Sequence, residues 1–477
     1  MTHGSVSHLV RGKPIRIAAT VFLAASLLVL AGVSPAASAV TQTWYLAEGS
    51  TAWGFATYIT LENPSTVPGN ATIEYMTLAG TVTGPTVYLP GQSELTVFPS
   101  DTLGAQDFST RVTTDLPYPI AVDRTMYWPS GFGTGFGYHS SIGVMATGSD
   151  PLPMRWYLPE GSSAWGFETW LLLQNPSAEA AHCNVTYMVE GGSPVVKEKT
   201  IPGNSRQSFS METDIGVHDA SVMVESTDFP VIAERSMYQA APGAPTGNRR
   251  EGHVSIGAPR ASNDYYLAEG STNWGFTTYI LIQNPNTTYT NVVLSYNTPT
   301  GSISDPPIPV AGRSRKTIRV NDSHPNTDLS THVVSDQPVV AERAMYWGSA
   351  AGPGSAMTDS IGMPEGHADF YFPDGEVYSN TATGDLTETF TCVQNPNSTD
   401  VKVAVSYFTA DGGLFAWTET IPAQTRRTYN LADKIAPDNR AAIKVECRTA
   451  GKKIMCERSM YFQRRWSGAN TIGGTND

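Results

Sequence analysis

Along most of the chain apolar and polar residues alternate in short runs, and glycine, proline, asparagine and aspartate cut the runs off. Alternation with period two lets one side of an extended segment face a core while the other meets water, so these runs predict strands. Between residues 151 and 262 they fall at 155–158, 168–174, 183–189, 195–201, 207–211, 221–225 and 231–238, with turns at Glu190-Gly191-Gly192 and Pro202-Gly203-Asn204. No stretch after residue 39 holds a helical apolar period, so the chain is expected to be built from strands.

The pattern is written four times. Trp44-Tyr45-Leu46-Ala47-Glu48-Gly49-Ser50-Thr51 returns from Trp156, again from Tyr265, and in weaker form as Phe370-Tyr371-Phe372-Pro373-Asp374-Gly375, at steps of 112, 109 and 105 residues. Each copy then has Asn-Pro closing an apolar strand (Asn63, Asn175, Asn284, Asn395). An acid–arginine pair followed by Met-Tyr comes later (Asp123-Arg124, Glu234-Arg235, Glu342-Arg343, Glu457-Arg458), and each copy ends near Ile-Gly. Some seven strands in about 110 residues is the pattern of an immunoglobulin-like β-sandwich. A propeller blade, at about 40–50 residues, is too short for this period. The expected fold is therefore all-β: a leader over 1–39, then four tandem immunoglobulin-like β-sandwich domains over 40–150, 151–262, 263–367 and 368–477. A unit of that length can bury its own core, so the copies are expected to fold as separate beads. Glycine-rich stretches at 131–137 and 240–252 would serve as linkers or as long closing loops.

The leader is read from Arg11, Lys13 and Arg16, the apolar run 17–33, and the small-residue site Ala37-Ser38-Ala39. It predicts export by the general secretory pathway, to the cell surface or the medium, with an uncleaved anchor as the alternative. No later segment is apolar enough to span a bilayer as a helix, so no membrane span is expected in the mature chain. Composition narrows the function further. The chain has 30 Lys+Arg against 43 Asp+Glu, and 27 against 43 without the leader. That acidic balance disfavours nucleic acid, which is held by basic side chains on phosphates. The last copy is nearly neutral, with Arg426-Arg427, Lys452-Lys453 and Arg464-Arg465 read as solvated turn charges.

Taken together, Trp-Tyr-Leu-Ala-Glu-Gly-Ser-Thr, Asn-Pro and Ala-Glu-Arg-x-Met-Tyr resemble a tandem immunoglobulin-like module of secreted and surface-exposed bacterial proteins, over essentially all of the chain after the leader. The resemblance implies a surface, adhesive or scaffold role and carries no activity over. The fourth copy departs from it, since it lacks the Trp-Gly-Phe found at Trp53, Trp165 and Trp274.

Candidate chemistry is sparse. The first-strand acids Glu48, Glu160, Glu269 and Asp374 are expected to pair with the last-strand arginines Arg124, Arg235, Arg343 and Arg458 within each copy, as buried pins of strand register. Trp53, Trp165 and Trp274 are expected to pack in a core or between sheets, with stacking on sugar rings as the alternative. Among the cysteines, Cys447 and Cys456 flank a predicted turn at Ala450-Gly451 and are the favoured disulfide; Cys392 could instead bridge two sheets, and Cys183 is expected as a buried thiol. The Asx-rich loop Asn321-Asp322-Ser323 is read as ordinary turns. Catalytic signatures such as His-Glu-x-x-His or Gly-x-Ser-x-Gly do not occur, and no metal or cofactor is expected. The sequence thus predicts a non-enzymatic extracellular structural or adhesive rod, its partners being other surface proteins or wall glycans, with an array of carbohydrate-binding modules as the alternative.

Overall fold

The computed structural model describes residues 42–129, 136–240, 249–349 and 352–475. The expected leader lies outside the described residues, as does most of each glycine-rich stretch. No helix among the described residues is long and apolar enough to cross a membrane.

Each copy lays down antiparallel strands in two sheets. In the first, one sheet runs in the order Gly80–Leu89, Gly69–Thr77, Ser109–Thr114, Gln42–Leu46, Val144–Ala146, and the other Ser93–Val97, Ala56–Asn63, Ala121–Pro129, Phe136–Ile142. The second copy repeats the plan, with Arg155–Leu158, Ala220–Ser226, Ala181–Val189 and Val195–Ile201 in one sheet. Ser205–Ser210, Phe167–Asn175, Ile232–Ala240 and Arg249–Ile256 form the other. In the third copy the single strand Ser330–Ser349 runs through both sheets. The chain is all-β, as expected; helix is confined to single turns such as Met211–Ile215.

Seven of the eight strands of the second copy fall within two or three residues of the expected positions. The eighth, Arg249–Ile256, does not, and it decides the architecture. It pairs with the arginine-bearing strand at the edge of its sheet, Arg235 opposite Ser255. Its counterparts are Phe136–Ile142, Gly352–Ile361 and Ser467–Ile472. The four final strands pack each against the next, and the fourth packs against the first. Beads on a rod are therefore not what forms. Residues 39–477 make one compact unit, in which the four copies close on one another around a common axis. One apolar core runs unbroken from Trp44 through Trp156 and Tyr265 to Tyr371, across the first three copies and into the fourth. The reason is visible in the arginine-bearing strands. Met455–Phe462 is buried at every position and Ala121–Pro129 at nearly every one, because one face covers the copy's own core and the other faces a neighbour. At the axis the final strands leave a space of about 10 Å³, scarcely enough for one water.

The expected Cys447–Cys456 bridge is also corrected. Asn439–Cys447 and Met455–Phe462 do not pair with each other. The first pairs with Asp369–Phe372 and Val401–Thr409, the second with Asp385–Asn395 and Ser467–Ile472, so the segment between them crosses over instead of turning a hairpin. All four cysteines are free thiols.

Candidate functional site

The acid–arginine anchors do pair inside the first three copies, with the tighter partner in the next one. In the fourth the Asp374 carboxylate is taken by Arg440 in place of Arg458. Arg124 is 3.3 Å from Glu48 of its own copy and 2.7 Å from Glu234 of the second. Arg235 is 3.5 Å from Glu160 and 2.9 Å from Glu342 of the third. Arg343 is 3.6 Å from Glu269 and 2.8 Å from Glu457 of the fourth. The circle closes where Arg458 donates to Asp123 of the first copy at 2.7 Å and to the carbonyl of Asp374. All four guanidinium groups are fully buried. The anchor thus works in two directions: its arginine reaches forward, and its acid receives the arginine from behind. Its tyrosine reaches back as well, since Tyr238, Tyr346 and Tyr461 donate to Glu48, Glu160 and Glu269 at 3.2, 3.2 and 3.1 Å. Burial alone would raise the Glu48 carboxyl, but His139 and Arg124 outweigh it and hold the group below its ordinary value.

Above these buried pairs the seams between copies open into cavities. The one between the first and second copies, about 490 Å³, is lined by Trp53, Phe55, Trp170 and Tyr238, with Glu48 and Arg206 among its polar groups. The one between the second and third, also about 490 Å³, is lined by Trp165, Phe167, Tyr279 and Tyr346, with Glu160 and Arg315. Ring walls with a carboxylate and a guanidinium between them suit a small amphipathic ligand. Arg206 and Arg315 are held in place by Ser208 and Thr317 at 2.8 and 2.7 Å, and Arg315 also donates to the carbonyl of Gly161 in the preceding copy.

Trp53 and Trp165 line these cavities, and for them and for Trp274 the packing expectation fails. Trp53 and Trp165 are 81% exposed and Trp274 is 73% exposed. They lie before the strand instead of on it. Phe55, Phe167 and Phe276 close tight turns by donating to Ala52, Ala164 and Asn273. Within each turn the Trp-Gly pair has positive φ, 59° and 84° at Trp53-Gly54. Such a turn takes glycine readily and a bulky residue at a cost of about 1–3 kcal/mol. The buried aromatic is the next residue, Phe55 or Phe276. At the third seam Arg465 lies across the rings of Phe390 and Tyr461, 5.7 and 5.4 Å from their centroids, and crowds the position that is open in the first two.

The closing seam, fourth copy to first, is built differently. Glu94 occupies the strand position of Arg206, Arg315 and Arg426, each opposite the residue before the Asn-Pro asparagine. Arg440 occupies the position of Asp107, Asp219 and Asp328, beside the first-strand turn. Arg440 pairs with Asp374 and lies 4.9 Å from the ring centre of Tyr58, which is itself buried. Burial pushes the Glu94 carboxyl up to about 8, with Arg440 tempering it.

Sequence reasoning reached the acids and arginines of the anchors but missed Arg206, Arg315, Tyr238 and Tyr346. The recurring Met-Tyr after the arginine was a usable signal for the tyrosines. Arg426, read as a solvated turn charge, is buried and donates to Gly270 at 3.0 Å. Asp322 of the Asx-rich loop is taken by Arg319 at 2.7 Å.

By sequence the chain matches no protein family and no curated relative. Among solved structures, a Thermotoga maritima structure titled 1070 is 22% identical, covering 22% of this chain and 94% of its own, with a TM-score of 0.20. The Streptomyces avermitilis α-L-rhamnosidase solved with L-rhamnose is 9% identical over 84% of this chain and 55% of its own, with a TM-score of 0.12. Neither likeness is close enough to carry an argument.

Proposed function

We propose that the protein is an extracellular carbohydrate-binding ring, whose sites lie in the seams between neighbouring copies. One observation carries the reading: three tryptophans held at positive φ on tight turns and exposed to solvent, two of them, Trp53 and Trp165, lining aromatic cavities. A large apolar ring on a strained turn has neither packing nor backbone geometry in its favour, so its use three times over points to a ligand. Sugars offer flat apolar faces edged by hydroxyl groups. An exposed indole meets the face, while Glu48 with Arg206, or Glu160 with Arg315, can accept from and donate to the edge. The extracellular placement rests on the leader expected over residues 1–39, as does any role in surface adhesion. The rod-like scaffold reading loses its support, because an extended row needs free ends and these copies close on each other.

A glycan array probed with the full chain tests the proposal. Binding to a defined set of sugars, lost when Trp53 and Trp165 are both replaced by alanine, is expected. A chain that binds no glycan, or a double variant that binds as well as the native one, would refute it.

A further inference from the structure

The first three seams share one plan, but the second carries a surplus of buried negative charge. Glu160, Glu342 and Asp359 converge there on one guanidinium, that of Arg235, which contacts Glu342 at 2.9 Å and Asp359 at 2.8 Å. His253 completes the group, its Nε2 3.8 Å from Glu160 Oε2. The imidazole is 2% exposed, and among the described residues neither of its ring nitrogens has a hydrogen-bond partner; nor do Glu160 Oε2 and Asp359 Oδ2. One ligand atom from each of Glu160, His253 and Asp359 lies within 4.8 Å of the other two.

The sister seams supply the control. The position of Asp359 follows from its register with the arginine-bearing strand: Asp359 faces Ala344, Val254 faces Ser236, Asn470 faces Ser459, and Ser140 faces Thr125. At the third seam Asn470 donates its amide to Glu269, so that acid is satisfied by a neutral neighbour. At the first seam a histidine is present, His139, but Val254 brings no third ligand, and His139 Nε2 has Tyr238 Oη at 3.1 Å. The second seam alone of these sets a carboxylate against the first-strand glutamate and leaves an imidazole unbonded beside both.

We propose that Glu160, His253 and Asp359 form a binding site for one first-row divalent cation such as zinc. One imidazole nitrogen and two carboxylate oxygens are a donor set such ions accept. With Glu160, Glu342 and Asp359 all ionised, Arg235 would leave two negative charges, which a doubly charged ion would balance, and unbalanced charge is costly at this depth. Glu160 also lines the cavity between the second and third copies, which gives an ion a way in. The site would tie the second copy to the third beneath that cavity. It does not depend on the glycan reading, and it revises the expectation that no metal is held.

The test uses the full chain, freed of metal by chelation and titrated with zinc ions while metal content and the thermal midpoint are followed. The native chain is expected to take up one zinc ion and to melt several degrees higher with it. Asp359→Asn, which copies the arrangement of Asn470, is expected to fold, to hold no zinc and to melt unchanged when zinc is added. A native chain without zinc uptake would overturn the proposal, leaving a proton shared between Glu160 and Asp359. So would an Asp359→Asn variant that binds as well as the native chain. Should that variant fail to fold, cobalt(II) added to the native chain decides: visible ligand-field bands support the site, and their absence refutes it. Glycan binding lost by the tryptophan variants with zinc uptake intact would separate the two readings.

Discussion

Ring closure depends on Arg458, and its replacement by methionine measures how much. The guanidinium is fully buried and donates to Asp123 at 2.7 Å, to Ser140 at 2.7 Å and to the backbone carbonyl of Asp374. Methionine fills much of the space but leaves Asp123, itself fully buried, beside Asp374 without its hydrogen-bonded guanidinium, Arg440 being paired with Asp374. Breaking a buried pair from one side costs about 3–5 kcal/mol, mostly the penalty of the stranded charge. Asp123 can escape that penalty by taking up a proton. Its carboxyl is already pushed up to about 7 by burial, with Arg458 opposing, so removing the arginine raises it further. The folded variant then binds a proton that the unfolded chain, titrating near 3.9, has released; its stability therefore falls by about 1.4 kcal/mol per pH unit as pH rises through that window. Urea unfolding followed by tryptophan fluorescence should show the loss growing between about pH 6 and about pH 8. Asp123→Asn added to Arg458→Met removes the stranded charge and should recover most of it. A single-variant loss below about 1 kcal/mol, or a double variant as weak as the two singles summed, would refute the reasoning.

Three further outcomes can be checked directly. Trp53→Ala and Trp165→Ala should change stability by no more than about 0.5 kcal/mol, because the rings are exposed, while glycan affinity measured by calorimetry falls about tenfold or more. Glu94, pushed up to about 8, contributes stability that is complete below its ordinary value of 4.5 and is lost as pH rises through about 8; Glu94→Gln should flatten that limb and raise the melting point at alkaline pH. Burial raises the thiols of Cys183 and Cys392 to about 11 and about 12, so a thiol reagent should modify half-buried Cys447 first and reach the others only after unfolding, with no change on prior reduction.

How the chain divides into strands was legible because alternation and turn residues are local signals, and seven strands of the second copy could be placed from them. The eighth was not. Arg249–Ile256 begins in charged residues and follows a glycine-rich stretch, so it looked like the end of a linker. Its polar positions make sense only against three copies of itself at the axis, a contact between segments more than 100 residues apart. That one omission turned a ring into a row of beads. The same cause limited the ion pairs. Acid and arginine could be matched by type, but only closure shows that Arg235 prefers Glu342 of the next copy to Glu160 of its own. Trp53 was misplaced for a local reason: the alternation was counted one turn too early, and Trp-Gly is the turn itself.

Closure also explains why the last seam breaks the pattern. At the first three seams the leading copy offers an aspartate (Asp107, Asp219, Asp328) and the trailing copy an arginine (Arg206, Arg315, Arg426). At the fourth the order is reversed, Arg440 leading and Glu94 trailing. Asp107 and Arg206 approach to 3.9 Å across the first seam, so if the fourth copy closed on the second, Arg440 would meet Arg206. Two arginines facing each other there are disfavoured, so the reversal works against a ring that omits the first copy. The seam that carries this selection is filled by Arg440 over Tyr58 and lacks the tryptophan turn, so it is fitted to lock and not to bind. On the glycan reading, the open cavities are those of the first two seams, and a polymer offering the same sugar repeatedly could engage both at once. Weak single sites would then suffice for firm attachment, because each further contact is made at the high effective concentration set by the ring.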